Sequence, residues 1–531
     1  MFGILAAWTY IARLHATNDG LWYTGDAARH AANGIFWSDF VRTLPQDPRA
    51  FALSYYARYP VVDPVSYPPV FYLVEAAGFS IFGVSPFVAK ALVLIFALLA
   101  SVYVAAWANR WVSKEAGWAG MLFLLQPGLI VWSNAIMLNV PAMALGFAAL
   151  YHGRRWLEAP GSKHLVAATA FAAAALLTYF PAVILLPVIP AWVIVERRWH
   201  ACVDRRSVAA ASLLAVLTLA CLSVARIWAP LHVSLLVPKL HTALRSSHWT
   251  YYLHRLPELL SPSVLGLMPI GGVLGLRDES SRREASVTLL CLLICYFGLS
   301  VLVERESRYA LFLVPPAVIL AVVGVRTLAG WIAERFGRQP APYFLVAIVS
   351  LIGFHVLRAP AVHVPMATGF REVVAFLKEN APDERVFYDG QYVGPFTFYV
   401  RAEDPGFKRG VVRGDKLLYA SAILPRWRLM ERISSPAEAV EAIRTRCGCR
   451  WLAIENGEDP DSIDAARYLR QAVAGPEFQL VKSFPVDAPP ATRVDVYRFL
   501  PAAESPEEIE LPFPVLGEGT ILRARPLEGG D

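Results

Sequence analysis

Charge is what this chain has least of. Charged residues occupy 17% of its 531 positions, where a soluble globular protein carries about 25%. With 56% hydrophobic residues and a mean hydropathy of +0.44, that shortage excludes a wholly soluble chain and marks a multispan membrane protein. The net charge of +6 comes from Arg-rich loops, which orient a chain in a membrane and do not call for nucleic acid. Cysteine is scarce, at six residues. Cys202, Cys221, Cys291 and Cys295 lie in or beside apolar segments, as inert core residues do. Cys447-Gly448-Cys449 has no nearby His or second Cys pair, so a buried strand edge or a redox-dependent thiol pair fits it better than a metal site. A Gly-rich nucleotide loop, an internal repeat and a cleavable signal pattern are also missing.

What is there is a series of apolar segments, at about 2–15, 86–109, 116–133, 140–152, 164–180, 181–195, 207–229, 264–276, 286–303, 309–325 and 342–357. Residues 69–83 form a further apolar stretch, but it is short and carries Glu75. Positive charge decides its reading. If 69–83 lies outside as an interfacial helix, the inner loops hold Arg110 and Lys114; Arg154, Arg155 and Lys163; Arg197, Arg198, Arg205 and Arg206; Arg277, Arg282 and Arg283; and Arg326, Arg335 and Arg338. Counting 69–83 as a span would flip every later loop and reverse that bias. The expectation is a mostly α polytopic bundle of about eleven spans, with the N-terminus inside and the C-terminus outside. A first outer loop covers about 16–85 and a smaller one, rich in His, Trp and Tyr, covers about 230–263.

After residue 357 the composition changes. Phe370–Asn380, Pro436–Thr445 and Ala465–Ala474 have helical periodicity. Arg385–Tyr388, Thr397–Val400, Arg450–Ile454, Phe478–Phe484 and Arg493–Phe499 read as strands. The expected organisation is a membrane domain over 1–357, a soluble extracytoplasmic α/β domain over 358–500, and a poorly ordered Pro- and Glu-rich tail over 501–531.

Asp26 is the first candidate for chemistry. It follows the first apolar segment in Thr24-Gly25-Asp26 and precedes Ala27-Ala28-Arg29-His30. As an isolated residue it would be a helix cap. At the head of a large outer loop, followed by an amphipathic stretch with Ile35, Phe36, Trp37 and Phe40, it can serve as a base at the membrane surface. The loop closes in Tyr59-Pro60-Val61-Val62-Asp63-Pro64-Val65-Ser66-Tyr67-Pro68-Pro69. There Asp63 is either a turn former or a polar contact, and Tyr67 either an interfacial anchor or a substrate hydrogen-bonder.

The run GDAARHAANGIFWSDF, followed by YPPVFYLVEAAGFSIFGVSPFVAK, resembles the GT-C glycosyltransferases, in particular glycosyltransferase family 39 and its bacterial aminoarabinose-transferase relatives. The resemblance covers about residues 1–330. It implies transfer of a sugar from a polyprenyl-phosphate donor to an acceptor hydroxyl outside the cytoplasm, with Asp26 in the place of the family's acidic residue. Glu304-Arg305-Glu306-Ser307-Arg308-Tyr309 resembles the family's E-x-R-Y element. That implies Arg308 as the phosphate ligand, since a guanidinium fork matches phosphate oxygens. Interfacial snorkelling is the plainer reading of Arg308. Arg29, Asp63, Tyr67, Asn139, Glu306 and Tyr309 complete the candidate substrate contacts. Asn139 stands where many relatives have an acid ahead of Pro141. An amide is no base and a poor ligand for a hard cation, so no metal or other cofactor is expected.

The implied partners are a polyprenyl-phosphate-linked sugar, a lipid, glycan or protein acceptor, and the membrane, placed as a bacterial inner membrane. Two other classes compete: a lipid or sugar transporter or flippase, and an inactive scaffold that binds a lipid-linked sugar. Pro181, Pro187 and Pro190 bend their segments as transporter helices are bent, but no ionisable partner accompanies them.

Overall fold

A computed structural model of the chain describes residues 1–16, 18–22, 25–63, 67–159, 162–199, 204–228, 246–302, 305–422, 428–457, 463–502, 509–512 and 521–524. Among the described residues the membrane part is mostly helical: α1 (Phe2–His15), α2 (Gly25–Thr43), α3 (Pro48–Arg58), α4 (Val70–Phe82), α5 (Pro86–Trp111), α6 (Ala119–Leu124), α7 (Pro127–Asn134), α8 (Asn139–Glu158), α9 (Ser162–Leu176), α10 (Val188–Val195), α11 (Arg205–Trp228), α12 (Ser246–Leu259), α13 (Pro262–Arg277), α14 (Arg282–Ser300), α15 (Val314–Arg335) and α16 (Pro340–Arg358). Among the described residues, five helices are long and apolar enough to cross a membrane: α5, α11, α14, α15 with the 3₁₀ turn before it, and α16. A sixth crossing exists if 114–134 is one span, broken by 56° at Gln126-Pro127. Helix occupies each of the eleven apolar segments, but several of these helices are too short to meet that length. At 13 residues, α4 is about 20 Å long, well short of the ~30 Å apolar thickness of a bilayer.

Helix α15 runs through the centre of the bundle and is mostly buried. It crosses α13 at Gly271 and Gly324. A Cβ on Gly271 would stand 1.8 Å from the Leu320 carbonyl oxygen, and one on Gly324 would stand 2.6 Å from that of Leu267. Glycine at both positions lets the backbones touch, which is how helices gain packing energy where no hydrophobic effect separates them from lipid. At the end of the bundle assigned to the inner side, Arg154 Nη1 lies 2.5 Å from Glu284 Oε2, and both side chains are buried. The Glu284 carboxylate also accepts from Trp107 Nε1 at 2.6 Å and Thr288 Oγ1 at 2.8 Å. The Arg154 guanidinium covers the Trp111 ring at 4.2 Å.

The C-terminal part is built on a five-stranded mixed sheet. Its strands are β3 (Arg385–Asp389), β4 (Gly410–Arg413), β7 (Trp451–Gly457), β8 (Phe478–Ala488) and β9 (Ala491–Phe499), in the order β4-β3-β7-β9-β8. The pairs β3/β4 and β3/β7 are parallel; β7/β9 and β8/β9 are antiparallel. Helices α17 (Phe370–Asn380), α18 (Val393–Ala402), α19 (Pro436–Ala442) and α20 (Asp464–Val473) cover it, and β5 (Tyr419–Ala422) with β6 (Arg428–Glu431) adds a hairpin. Thr397–Val400, expected as a strand, lies inside α18. Every residue from Gly394 to Arg401 is buried, so the run shows neither period, and its aromatic content mimicked a strand. Pro395 in the first turn favours the helix. The strands β4, β5 and β6 went unforeseen. In the tail, expected to lack order, β10 (Ile509–Pro512) and β11 (Ile521–Ala524) form an antiparallel ladder; the rest of 503–531 lies outside the described residues. So do residues 230–245 of the 230–263 loop, whose remainder carries α12. Cys447 and Cys449 are joined as a disulfide, while Cys291 and Cys295 are buried free thiols.

The sheet domain is tied to the first outer loop. Strand β1 (Leu21–Trp22), directly before α2, pairs antiparallel with β2 (Met366–Ala367), which follows α16. Asp39 of α2 binds Arg401 of α18, and Tyr59, after α3, donates to Asp404 at 3.0 Å. The shared hydrophobic cluster runs from Leu21 and Phe36 through Tyr55 to Phe396 and Val494.

Candidate functional site

The site is assembled where α2 begins. Asp26 lies in the first turn of that helix, where a negative charge is favoured. Arg29, one turn on, brings Nη1 to 3.3 Å from Asp26 Oδ1. From the other end of the membrane part, Arg308 brings Nη2 to 3.0 Å from Asp26 Oδ2. Arg308 sits in the 3₁₀ turn Ser307–Leu313, whose tight geometry leads into Pro315-Pro316 at the head of α15. Its Nη1 faces Met137 Sδ at 3.7 Å, and its Nε is buried with no hydrogen-bond partner among the described residues. Burial works against the charge on Asp26, but Arg29 and then Arg308 outweigh it and hold the carboxyl at about 2.

His30 is buried beside this pair, and burial pushes its imidazole down to about 3, so it is neutral. Its Nδ1 shares a hydrogen bond with Tyr72 Oη at 2.7 Å. The Tyr67 ring stands edge-on to it at 5.0 Å. Burial holds the Tyr67 phenol above its usual range. One turn further, Asn33 grips the Asp63 backbone from both sides: Nδ2 donates to the carbonyl at 2.9 Å and Oδ1 accepts from N–H at 2.7 Å. This places the Asp63 charge near Arg29. Arg413, at the end of β4, donates to the Pro60 carbonyl at 2.7 Å and forks onto Asp415 at 2.7 and 2.6 Å. The sheet domain therefore forms one wall of the site.

Of the candidates from sequence, Asp26, Arg29 and Arg308 come into direct contact, and Asp63 and Tyr67 sit beside them. Tyr309 is buried with its ring 6.0 Å from that of Tyr179. Glu306 is exposed, and no ion pair joins it to Arg308 among the described residues; Asp26 fills that role. Asn139 makes no contact with Asp26 among the described residues. It begins α8 two residues past Met137, and its Nδ2 is buried without a partner among the described residues. Glu304 lies outside the described residues. His30, Asn33, Tyr72, Met137 and Arg413 were missed. The one available signal was the i, i+4 spacing of Asp26 with His30 and of Arg29 with Asn33.

A family model described as dolichyl-phosphate-mannose-protein mannosyltransferase matches residues 66–228. ArnT from Cupriavidus metallidurans bound to undecaprenyl phosphate has a TM-score of 0.62 at 15% identity, over 95% of this chain and 98% of that one. Its apo state gives 0.60 at 15%, with the same coverage. The chain has a GT-C fold. The Archaeoglobus fulgidus oligosaccharyltransferase complex with Zn and sulfate shares this fold at a TM-score of 0.57 and 12% identity, over 85% of this chain and 68% of that one. A search of curated proteins found no match. Within the GT-C frame, the described residues hold no group of three or more His, Cys, Asp or Glu side chains placed to share a metal ion.

Proposed function

We propose that the protein is a membrane glycosyltransferase that moves a sugar from a polyprenyl phosphate to an acceptor hydroxyl on the extracytoplasmic face. The observation that carries this reading is the Asp26–Arg308 pair, which sets a carboxylate and a guanidinium 3.0 Å apart at the mouth of an apolar bundle. The first provides a base and the second a phosphate ligand. In the reaction the acceptor oxygen bonds to the anomeric carbon and its proton goes to Asp26. The bond from the anomeric carbon to the phosphate oxygen breaks, and its electron pair stays on the phosphate. Charge grows on that phosphate as the bond opens, and Arg308 stabilises it there.

The fold shared with a protein solved bound to undecaprenyl phosphate supports a polyprenyl donor. The inner-side arginines support an extracytoplasmic C-terminal domain, and we place the protein in a bacterial inner membrane. Glu455 speaks against nucleotide binding by the sheet domain. Its carboxylate already accepts from the N–H groups of Gln391 and Tyr392 at 2.7 Å each, ahead of α18, where an anionic ligand would sit. Purified protein in vesicles, given a polyprenyl-phosphate sugar and a mixture of hydroxyl acceptors, should release polyprenyl phosphate. Asp26→Asn should do so at least about 10²-fold more slowly. Lipid movement across the vesicle without bond cleavage would instead support a flippase, and donor binding without either would support a scaffold.

A further inference from the structure

Both carboxylate oxygens of Asp26 are occupied, Oδ2 by Arg308 and Oδ1 by Arg29. A carboxylate held by two guanidinium groups takes up a proton poorly, and a general base is most effective when its proton affinity lies near the working pH. One cation must let go before the acceptor proton can be taken.

The two arginines differ in what else holds them. Arg29 belongs to the same helix as Asp26, three residues on, and has a second acid beside it in Asp63, whose backbone Asn33 clamps. Arg308 comes from a separate segment, and its remaining donors are underused. Among the described residues, Nε is buried without a partner, and Nη1 has only a thioether, a weak acceptor. A phosphodiester offers two non-bridging oxygens that share one negative charge, in the geometry that a guanidinium fork matches.

We propose that the donor phosphate takes Arg308 away from Asp26, so that donor binding itself releases the base, while Arg29 stays and aims it. This rests on the glycosyltransferase reading and deepens it. Arg308 is then a phosphate ligand that silences the base until the donor arrives, and Arg29 is a positioning residue. The groups that face Asp26 are Arg29 and His30 from α2, Arg308 from the 3₁₀ turn, and Tyr67 from the loop end, with Asp63 and, from the sheet domain, Arg413 acting on Arg29. Of the two guanidinium groups on Asp26, Arg308 is the less exposed, and it is the one with a buried donor left without a partner among the described residues. After transfer, the phosphate monoester leaves and Arg308 returns to Asp26, which displaces the proton gained from the acceptor.

The test follows Asp26 protonation by infrared difference titration of the full chain in detergent, with Asp26→Asn identifying the band. Polyprenyl phosphate without sugar is the probe, since it cannot turn over, and polyprenol is the uncharged control. Loss of a neighbouring cation should raise the protonation midpoint by about 1–3 pH units when polyprenyl phosphate is added. Polyprenol should leave it in place. Arg308→Met should show the raised midpoint without lipid. Arg29→Met should lose kcat with donor affinity kept, and Arg29→Lys should recover part of that loss. Polyprenyl phosphate that binds through Arg308 without moving the midpoint would overturn the exchange and leave the glycosyltransferase reading standing. No binding of polyprenyl phosphate would overturn both. Where Arg308→Met does not fold, the wild-type titration with the two lipids decides.

Discussion

Arg401 of α18 donates to Asp39 Oδ2 of α2 from Nε at 3.0 Å and from Nη2 at 2.6 Å, across 362 positions of chain. Tyr55 donates to the same oxygen at 2.7 Å, and the Arg401 Nη1 reaches the Asp404 carbonyl at 2.7 Å. Both charged side chains are almost fully buried. This joint fixes the helix that carries Asp26 to the sheet domain. Removing one partner of a buried pair strands a charge, at about 3–5 kcal/mol. Arg401→Met should lower the thermal midpoint and open the first outer loop to protease, and Arg401→Lys should recover part of the loss. A melt and digestion pattern like wild type would show that the joint is held elsewhere.

Asp26→Asn removes the base but keeps the shape of the side chain. Turnover should fall about 10²-fold or more, by the usual worth of general-base assistance. Donor binding should persist, since Arg308 then gives its whole fork to the phosphate. Arg308→Ala should weaken donor affinity, and Arg308→Lys should restore it only in part, because an ammonium lacks the fork. Equal affinity and turnover in wild type and Arg308→Lys would remove Arg308 from the site.

At the inner end of the bundle, Glu284 receives Arg154, Trp107 and Thr288 together. Glu284→Leu leaves Arg154 buried without its counter-charge and should cost about 3–5 kcal/mol. The double variant Arg154→Met with Glu284→Leu should recover most of this, because a buried pair contributes little net stability over apolar replacements of similar volume. Thermal unfolding of the three variants in detergent checks both statements.

How much of this was legible in the sequence depends on distance along the chain. The helices that carry the eleven apolar segments follow from hydrophobic runs, and their signal is local. Asp26 and Arg308 were each picked from local context, yet their contact joins positions 282 apart, which no spacing rule reaches. The same is true of Arg401 with Asp39 and of β1 with β2. Strand β1 is two residues long, too short for a period of two to appear. Residues 394–401 failed for the opposite reason: buried on every side, they carry no periodicity, and only Pro395 pointed to a helix. His30 lacked a signal of its own, because its role comes from Tyr67 and from Tyr72, which lies 42 positions further along the chain.

The topology makes its own prediction. With 69–83 outside, cysteines placed at exposed Arg49 and at exposed Glu379 should both react with an impermeant reagent added to intact cells, relative to the parent chain. A cysteine at exposed Arg197 should react only after the membrane is opened. Reaction at Arg197 in intact cells, without reaction at Arg49, would reverse the orientation and place Asp26 in the cytoplasm.

The sheet domain should lose stability as pH rises through the neutral range. Burial raises Glu455 to about 7 and Asp389 to about 6, against 4.5 and 3.8 for the free groups. The hydrogen bonds from Tyr388, Gln391 and Tyr392 favour the charged form of Glu455 but do not offset its burial. The folded domain therefore holds protons that the unfolded chain has released, and stability falls wherever the native state binds more protons. For Glu455 the window opens at pH 4.5 and closes near 7; for Asp389 it runs from 3.8 to about 6. Below those windows both groups are neutral in either state and add no slope. Amide exchange at Gln391 and Tyr392, corrected for intrinsic rate, should show protection that declines from pH 5 to 7.5. Glu455→Gln cannot ionise, so its decline should be shallower, whatever its absolute protection. A wild-type profile no steeper than that of the variant would show that Glu455 does not carry the effect.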